Sequence, residues 1–243
     1  MKISDLKGRV PEELYKCLAN TGLKELRPPQ ALALKKGLLD RQNLVVSSPT
    51  SSGKSLVAEI ACVKNILEGR GKAIYVVPLK ALASEKFKEF KEKYPCIDTA
   101  LSIGDFDADD KWLGNYDLII TTSEKLDSLI RHTVPWLSTI GTLVVDEVHM
   151  IDDPNRGPTL EILITRLRNF LKSCQIVALS ATINNAKEIA DWLGGVLVKS
   201  DYRPVELKEG IYLNGSIKFK KGDKKVASSN SKPELQLVED TVK

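Results

Sequence analysis

Five short runs stand out by their unbroken apolar character: NLVVSS (43–48), AIYVV (73–77), DLIIT (117–121), TLVVD (142–146) and IVALS (176–180). They are rich in β-branched residues and do not alternate with polar ones, which is how strands covered on both faces of a parallel sheet read. Helix-length segments lie between them. From Lys54 to Leu67, Leu56, Ile60, Val63 and Leu67 recur at steps of four and three. From Ala81 to Tyr94, Phe87, Phe90 and Tyr94 form one stripe, and Glu85, Lys86, Lys88, Glu89, Lys91 and Glu92 make a solvated face around it. Ile162, Leu163, Arg166 and Leu167 continue a helix that begins after Pro158. This repetition of strand, helix and strand predicts an α/β fold, a doubly wound and mostly parallel sheet, over residues 1–200.

After residue 200 the pattern changes. RPVELKEGIYLNGSIKFKKG predicts two strands, Val205–Leu213 and Ser216–Lys220, joined in a hairpin at Asn214-Gly215. The polar stretch VASSNSKPE follows, and a helix is expected to start at Glu234 and run to Lys243. Residues 201–243 therefore read as the start of a second domain that stops short. Beside the hairpin, Lys218, Lys220, Lys221, Lys224 and Lys225 surround Asp223, a pattern typical of a solvated strand edge guarded against pairing.

Composition narrows the class without naming a partner. With 42% apolar and 28% charged residues in 243, the chain is a globular protein, not a collagen-like, disordered or coiled-coil one. A net charge of +4 is compatible with nucleic acid and says little more. Cys17, Cys62, Cys96 and Cys174 are scattered, form no CxxC pair and are joined by only two histidines, His132 and His149. That argues against a zinc or iron–sulfur site and for four reduced, mostly buried thiols. The N-terminus has no apolar signal core and no run approaches 18 apolar residues, so a cytoplasmic chain without a membrane span is expected.

Chemistry enters directly after the first strand, at Ser48-Pro49-Thr50-Ser51-Ser52-Gly53-Lys54-Ser55. A loop of small residues between a strand and a helix lets backbone N–H groups converge on phosphate oxygens, and the helix N-terminus adds partial positive charge. Lys54 can reach the β and γ phosphates, and the Ser55 hydroxyl can ligate Mg²⁺. Ser48 stands where the usual pattern has its first glycine. Taken alone, such a turn also reads as plain helix capping. At the end of a later strand, Asp146 and Glu147 precede Val148 and His149. Asp146 can hold the magnesium shell and Glu147 can accept a proton from an attacking water; alone, the pair also reads as a helix cap. Together with the loop about ninety residues earlier, it reads as the second half of a phosphate-cleaving site.

Asp146-Glu147-Val148-His149 is a DExH box, and with Ser180-Ala181-Thr182 at the next strand end it resembles a superfamily-two helicase. Pro28-Pro29-Gln30 is similar to the Q motif, Pro78-Leu79-Lys80-Ala81-Leu82-Ala83 to motif Ia, and the nine residues from Thr121 to Leu129 to motif Ib. Arg156-Gly157-Pro158-Thr159-Leu160-Glu161 and Ser200-Asp201-Tyr202-Arg203-Pro204-Val205 resemble segments of the Ski-like branch. Within that branch the chain looks most like the archaeal helicases that migrate Holliday junctions in DNA repair. Such proteins continue through a second RecA-like domain, a winged helix and a ratchet-like helical domain.

The resemblance implies a RecA-like P-loop NTPase domain of an ATP- and Mg²⁺-dependent motor that moves 3′ to 5′ on single-stranded DNA and unwinds forks as a monomer. Gln30 would read the adenine edge, residues Ser48 to Ser55 would cradle the phosphates, and Ser55 with Asp146 would hold Mg²⁺. Lys54 and Glu147 would act on the reacting groups. His149 would relay nucleotide state, and Ser180 and Thr182 would couple it to the DNA. Lys80, Thr122, Ser123, Lys125, Arg156 and Thr159 would grip the DNA backbone. No Arg-rich motor motif follows before Lys243, so this chain alone is expected to bind ATP weakly and turn it over poorly. An RNA helicase of the same branch, a nucleic-acid-binding fragment without turnover and a P-loop phosphotransferase are the competing readings.

Overall fold

The computed structural model describes residues 1–104, 110–132, 134–171, 173–205, 210–213, 216–219 and 223–225. The chain divides into two compact units, Met1–Tyr202 and Arg203–Lys243. The first is organised by a sheet of seven strands: β1 (Leu44–Ser47), β2 (Lys72–Val77), β3 (Thr99–Ser102), β4 (Leu118–Thr122), β5 (Ile140–Val145), β6 (Gln175–Ser180) and β7 (Val196–Lys199). Their order is β3-β4-β2-β5-β6-β1-β7, and every pairing is parallel. The five apolar runs are the five inner strands. β3 and β7 escape the sequence pattern because each is a four-residue edge strand, β3 carrying Thr99 and Ser102 and β7 partly exposed.

The lack of alternation has a simple cause. Leu44, Val46, Tyr75, Val77, Leu118, Ile120, Val144, Val177 and Leu179 belong to one core, while Val45, Ile74, Val76, Ile119, Leu143, Val145, Ile176 and Ala178 belong to another. Successive side chains point to opposite faces, and both faces are covered. Helices α1 (Glu12–Asn20), α2 (Pro28–Lys35), α3 (Ser55–Leu67) and α4 (Lys80–Lys93) cover the first face. Helices α5 (Ser123–Arg131), α6 (Gly157–Phe170) and α7 (Ala186–Trp192) cover the second. Each fully buried Val, Leu or Ile contributes about 1.5–3 kcal/mol relative to exposure.

Helix α3 is more deeply set than its apolar stripe suggests. Every residue from Leu56 to Asn65 is buried, because α1 and α2 pack over the side turned away from the sheet. Its polar residues are matched accordingly. Glu59 accepts from Lys93 Nζ and from Tyr94 Oη at 2.5 and 2.8 Å, and Asn65 Nδ2 donates to Thr142 Oγ1 and Gln175 Oε1 at 2.8 and 2.7 Å.

The second unit contains an antiparallel sheet of β8 (Gly210–Leu213), β9 (Ser216–Phe219) and β10 (Asp223–Lys225). The third strand was not anticipated. The first begins at Gly210, and Val205 lies exposed outside it. Asn214-Gly215, the polar stretch and the helix from Glu234 lie outside the described residues, as do the side chains of the lysine cluster. The thiols also depart from expectation: all are free, but only Cys62 is buried, and Cys17, Cys96 and Cys174 are half-buried. No helix among the described residues is long and apolar enough to cross a membrane.

Candidate active site

Because β5, β6 and β1 are neighbours, their carboxyl ends open onto one crevice. β1 leads into the loop Ser48–Ser55, whose first N–H, that of Ser48, donates to Ser180 O at the end of β6 (3.2 Å). The buried hydroxyls of Ser48 and Ser52 are 2.8 Å apart, so the serine in the first-glycine position closes the loop through its side chain. Ser51 and Gly53 have φ of 62° and 90°, the kind of turn by which backbone N–H groups gather into an anion-binding concavity. At Gly53 a Cβ would lie 2.4 Å from Gln30 Nε2, so a side chain there would displace Gln30, and the φ of 90° strains any residue but glycine.

That close approach has a purpose in the geometry. Gln30 is buried; its Oε1 accepts from Arg27 N–H (2.8 Å) and its Nε2 donates to Gly53 O (2.9 Å). Arg27 Nη1 donates to Ser51 O at 2.6 Å. The start of α2 thus props the loop from outside, and it also faces a cavity of about 690 Å³ lined by Arg27, Gln30, Gly53, Ser55, Glu59 and Tyr94, among others. Arg27 went unremarked in the sequence, although its place three residues before Gln30 was the available signal.

Across the crevice stand the acids. Lys54, buried, places Nζ 3.8 Å from Glu147 Oε1. Asp146 Oδ1 accepts from Glu147 N–H and Oδ2 from Tyr75 Oη, each at 2.9 Å. Burial, reinforced by the charge of Glu147, raises the Asp146 carboxyl above its usual range, while the Tyr75 and Glu147 hydrogen bonds and Lys54 pull the other way. Burial and the adjacent Asp146 hold the Tyr75 phenol well above its ordinary value, so it stays a donor. In the sequence Tyr75 was only one more apolar strand residue.

Glu147 adopts φ 50°, ψ 46°, a left-handed conformation that costs a non-glycine residue about 1–2 kcal/mol. This turn sets Oε1 opposite Lys54 and leaves Oε2 buried, 3.4 Å from His149 Nδ1 but without a hydrogen bond. Nδ1 instead accepts from Ala181 N–H, also at 3.4 Å, so its lone pair is used there and it has no proton to give the carboxylate. His149 thereby touches both the acidic pair and the Ser180-Ala181-Thr182 segment. Ser47 Oγ donates to Ala181 O at 3.2 Å, Ser180 Oγ is buried with no partner among the described residues, and Thr182 is exposed.

This donor set suits a magnesium–triphosphate. It combines converging N–H groups, an ammonium, the Ser55 hydroxyl at the head of α3 and two adjacent carboxylates. Two buried oxygens, Ser180 Oγ and Glu147 Oε2, are unsatisfied, and buried polar atoms without partners cost free energy that a ligand can recover.

The neighbouring strand ends are different. Pro78, Ser123, Arg156 and Asp146 line one small cavity, so this side borders the acidic pair. Lys80, at the head of α4, is exposed, and Thr159 is half-buried in the first turn of α6. Arg156 Nη1 donates to Pro78 O at 3.3 Å, and Gly157 is required because a Cβ would meet Ile151 O at 2.0 Å. Asp153 accepts the N–H groups of Arg156 and Asn155, which lowers its carboxyl below the usual range. Thr122 caps α5 by accepting from Lys125 N–H at 3.4 Å, and both Thr122 and Ser123 are buried. The expectation for Lys125 needs correction. Its ammonium is buried and lies 2.7 Å from Asp110 Oδ2, so it serves the interior and does not face a passing phosphate.

Fold and site together define a RecA-like P-loop nucleotide-binding domain. Residues 27–189 match the family model described as DEAD/DEAH box helicase, and the chain belongs to that family. Its full length is 48% identical to the ATP-dependent DNA helicase Hel308 of Methanocella arvoryzae, of which it covers 33%. Against the protein of the same name from Pyrococcus horikoshii the identity is also 48%, over 97% of this chain and 32% of that one. The chain thus spans about a third of the length of these relatives. Among solved structures, the DNA-bound DUF1998 helicase MrfA matches 79% of this chain and 30% of its own, with a TM-score of 0.68 and 25% identity.

Proposed function

We propose that the chain is the first, ATP-binding motor domain of an ATP-dependent DNA helicase that moves 3′ to 5′ on single-stranded DNA and opens forks and junctions. The observation that carries this reading is the opposition of Lys54 and Glu147, 3.8 Å apart across a crevice whose two walls are tied together by Ser48 N–H and Ser180 O.

In this reading the loop N–H groups and Lys54 bind the phosphates, and Gln30 and Arg27 meet the base from the adjoining cavity. Ser55 and Asp146 would hold Mg²⁺, which when bound would neutralise phosphate charge. Tyr75 fixes the Asp146 carboxylate by its hydrogen bond. Glu147 takes the proton of the attacking water. His149 senses the acidic pair on one side and Ala181 on the other, which links hydrolysis to Ser180 and Thr182. Lys80, Thr159, Arg156 and the helix head at Thr122–Ser123 form the backbone track for single-stranded DNA. Residues 203–243 begin the second RecA-like domain, whose arginine would complete the site. Such an arginine contributes about 10³–10⁵ in rate in related phosphoryl transfers.

Titration calorimetry and a phosphate-release assay test this reading on the chain as it stands. The expected result is one nucleotide bound per chain with Mg²⁺, weaker binding in EDTA, and slow turnover with or without DNA. Binding without dependence on Mg²⁺, or no binding at all, would overturn it.

A further inference from the structure

Cys17 and Cys96 are 79 residues apart in sequence, yet their sulfur atoms lie 3.9 Å from each other. Neither position is accidental. Cys17 is on α1 beside Leu14 and Leu18, both fully buried, so that helix face is pinned to the core. Cys96 sits in the turn after α4 between buried Tyr94 and Ile97, and Ile97 N–H donates to Tyr94 O. Both thiols are half-buried, within reach of small reagents. Cys17 and Pro95, the neighbour of Cys96, line the same 690 Å³ cavity as Gln30 and Gly53.

We infer that Cys17 and Cys96 form a reversible disulfide that staples α1 to the end of α4 along the wall of this cavity. A sulfur separation of 3.9 Å exceeds a disulfide bond by about 2 Å, so the two side chains must swing together for the bond to form. The oxidant is a low-molecular-weight disulfide. A thiolate of the pair attacks it and releases one small thiol, and the second cysteine then attacks the mixed disulfide and releases the other. Two protein thiols are oxidised, one small disulfide is reduced to two thiols, and the two cysteine protons end on those thiols. Burial and the adjacent Cys17 raise the Cys96 thiol to about 11, which slows the exchange near neutrality. A dithiol metal site is the weaker use of this pair, since no third ligand joins it among the described residues.

Cys62 and Cys174 serve as internal controls. Both thiols are raised by burial, Cys174 to about 12 and Cys62 further, with Glu59 and then Cys174 adding to the shift at Cys62. The test is run without nucleotide, so its failure is distinguishable from a failure of nucleotide binding.

The chain is incubated with oxidised glutathione at pH about 8.5, remaining thiols are alkylated, and a non-reducing digest is read by mass spectrometry. The expected product is a single linked peptide pair, Cys17 with Cys96, lighter by two hydrogen atoms. Closing a loop of this length is expected to raise Tm by roughly 5–10 °C, reversed by dithiothreitol. Cys96→Ser and, separately, Cys17→Ser remove both the link and the shift, whereas Cys62→Ser leaves them. Recovery of alkylated or glutathione-capped Cys17 and Cys96 with no link, or a link to another cysteine, would overturn the inference.

Discussion

At the ends of β1, β5 and β6 the chemically active side chains face a shared crevice, while at the ends of β2 and β4 most of them are already engaged by the protein. Lys54 faces Glu147 at 3.8 Å beside Asp146, with Ser180 Oγ and Glu147 Oε2 left without partners among the described residues. Thr122, by contrast, caps its own helix, Arg156 reaches Pro78 O, and Lys125 is sunk against Asp110. In the proposed reading the difference separates two ways of holding phosphate: triphosphate chemistry needs side chains aimed at one small volume, whereas a nucleic-acid strand is held by backbone contacts and cations spread along a track.

Substitutions sharpen this contrast. The largest effect is expected at Lys125→Ala, which removes one partner of a buried pair and should destabilise the fold by about 3–5 kcal/mol in urea unfolding. A stable Lys125→Ala chain with weakened DNA binding would instead return Lys125 to the track. Lys54→Ala should lower nucleotide affinity about a hundredfold, the value of one charge-assisted contact of about 2–3 kcal/mol, with an unchanged melting profile. Unchanged affinity in calorimetry would remove the crevice from consideration. Tyr75→Phe frees Asp146 Oδ2 and is expected to weaken Mg²⁺-dependent nucleotide binding about tenfold while leaving binding in EDTA as it was. An equal loss in both conditions would make Tyr75 a packing residue alone. Lys80→Ala is the mildest: single-stranded DNA binding should weaken about two- to threefold, and its salt slope should fall by about 0.7. No change in slope would mean that Lys80 points away from the strand.

Much of this architecture was legible because it follows from local rules. Strands buried on both faces must be apolar throughout, and a strand followed by small residues and Gly53-Lys54-Ser55 favours anion binding over plain helix capping. The edge strands β3 and β7 were not legible, being four residues each and only partly apolar. Within the proposed site, the residues assigned by their type at a motif position were readable. Those that act through a partner were not: Tyr75 matters because β2 lies beside β5, and Arg27 because α2 begins beside the loop.

The chain's own order of residues determined the α/β class and the inner strands, which depend on neighbours a few positions away, and pointed to the phosphate loop and the acidic pair once the two were read together. Only tertiary packing decided that Lys125 is spent on Asp110, that Tyr75 steadies Asp146, and that Cys17 and Cys96 come within 3.9 Å. Burial and long-range proximity are properties of the folded sheet and its two helical layers, and no stretch of sequence carries them by itself.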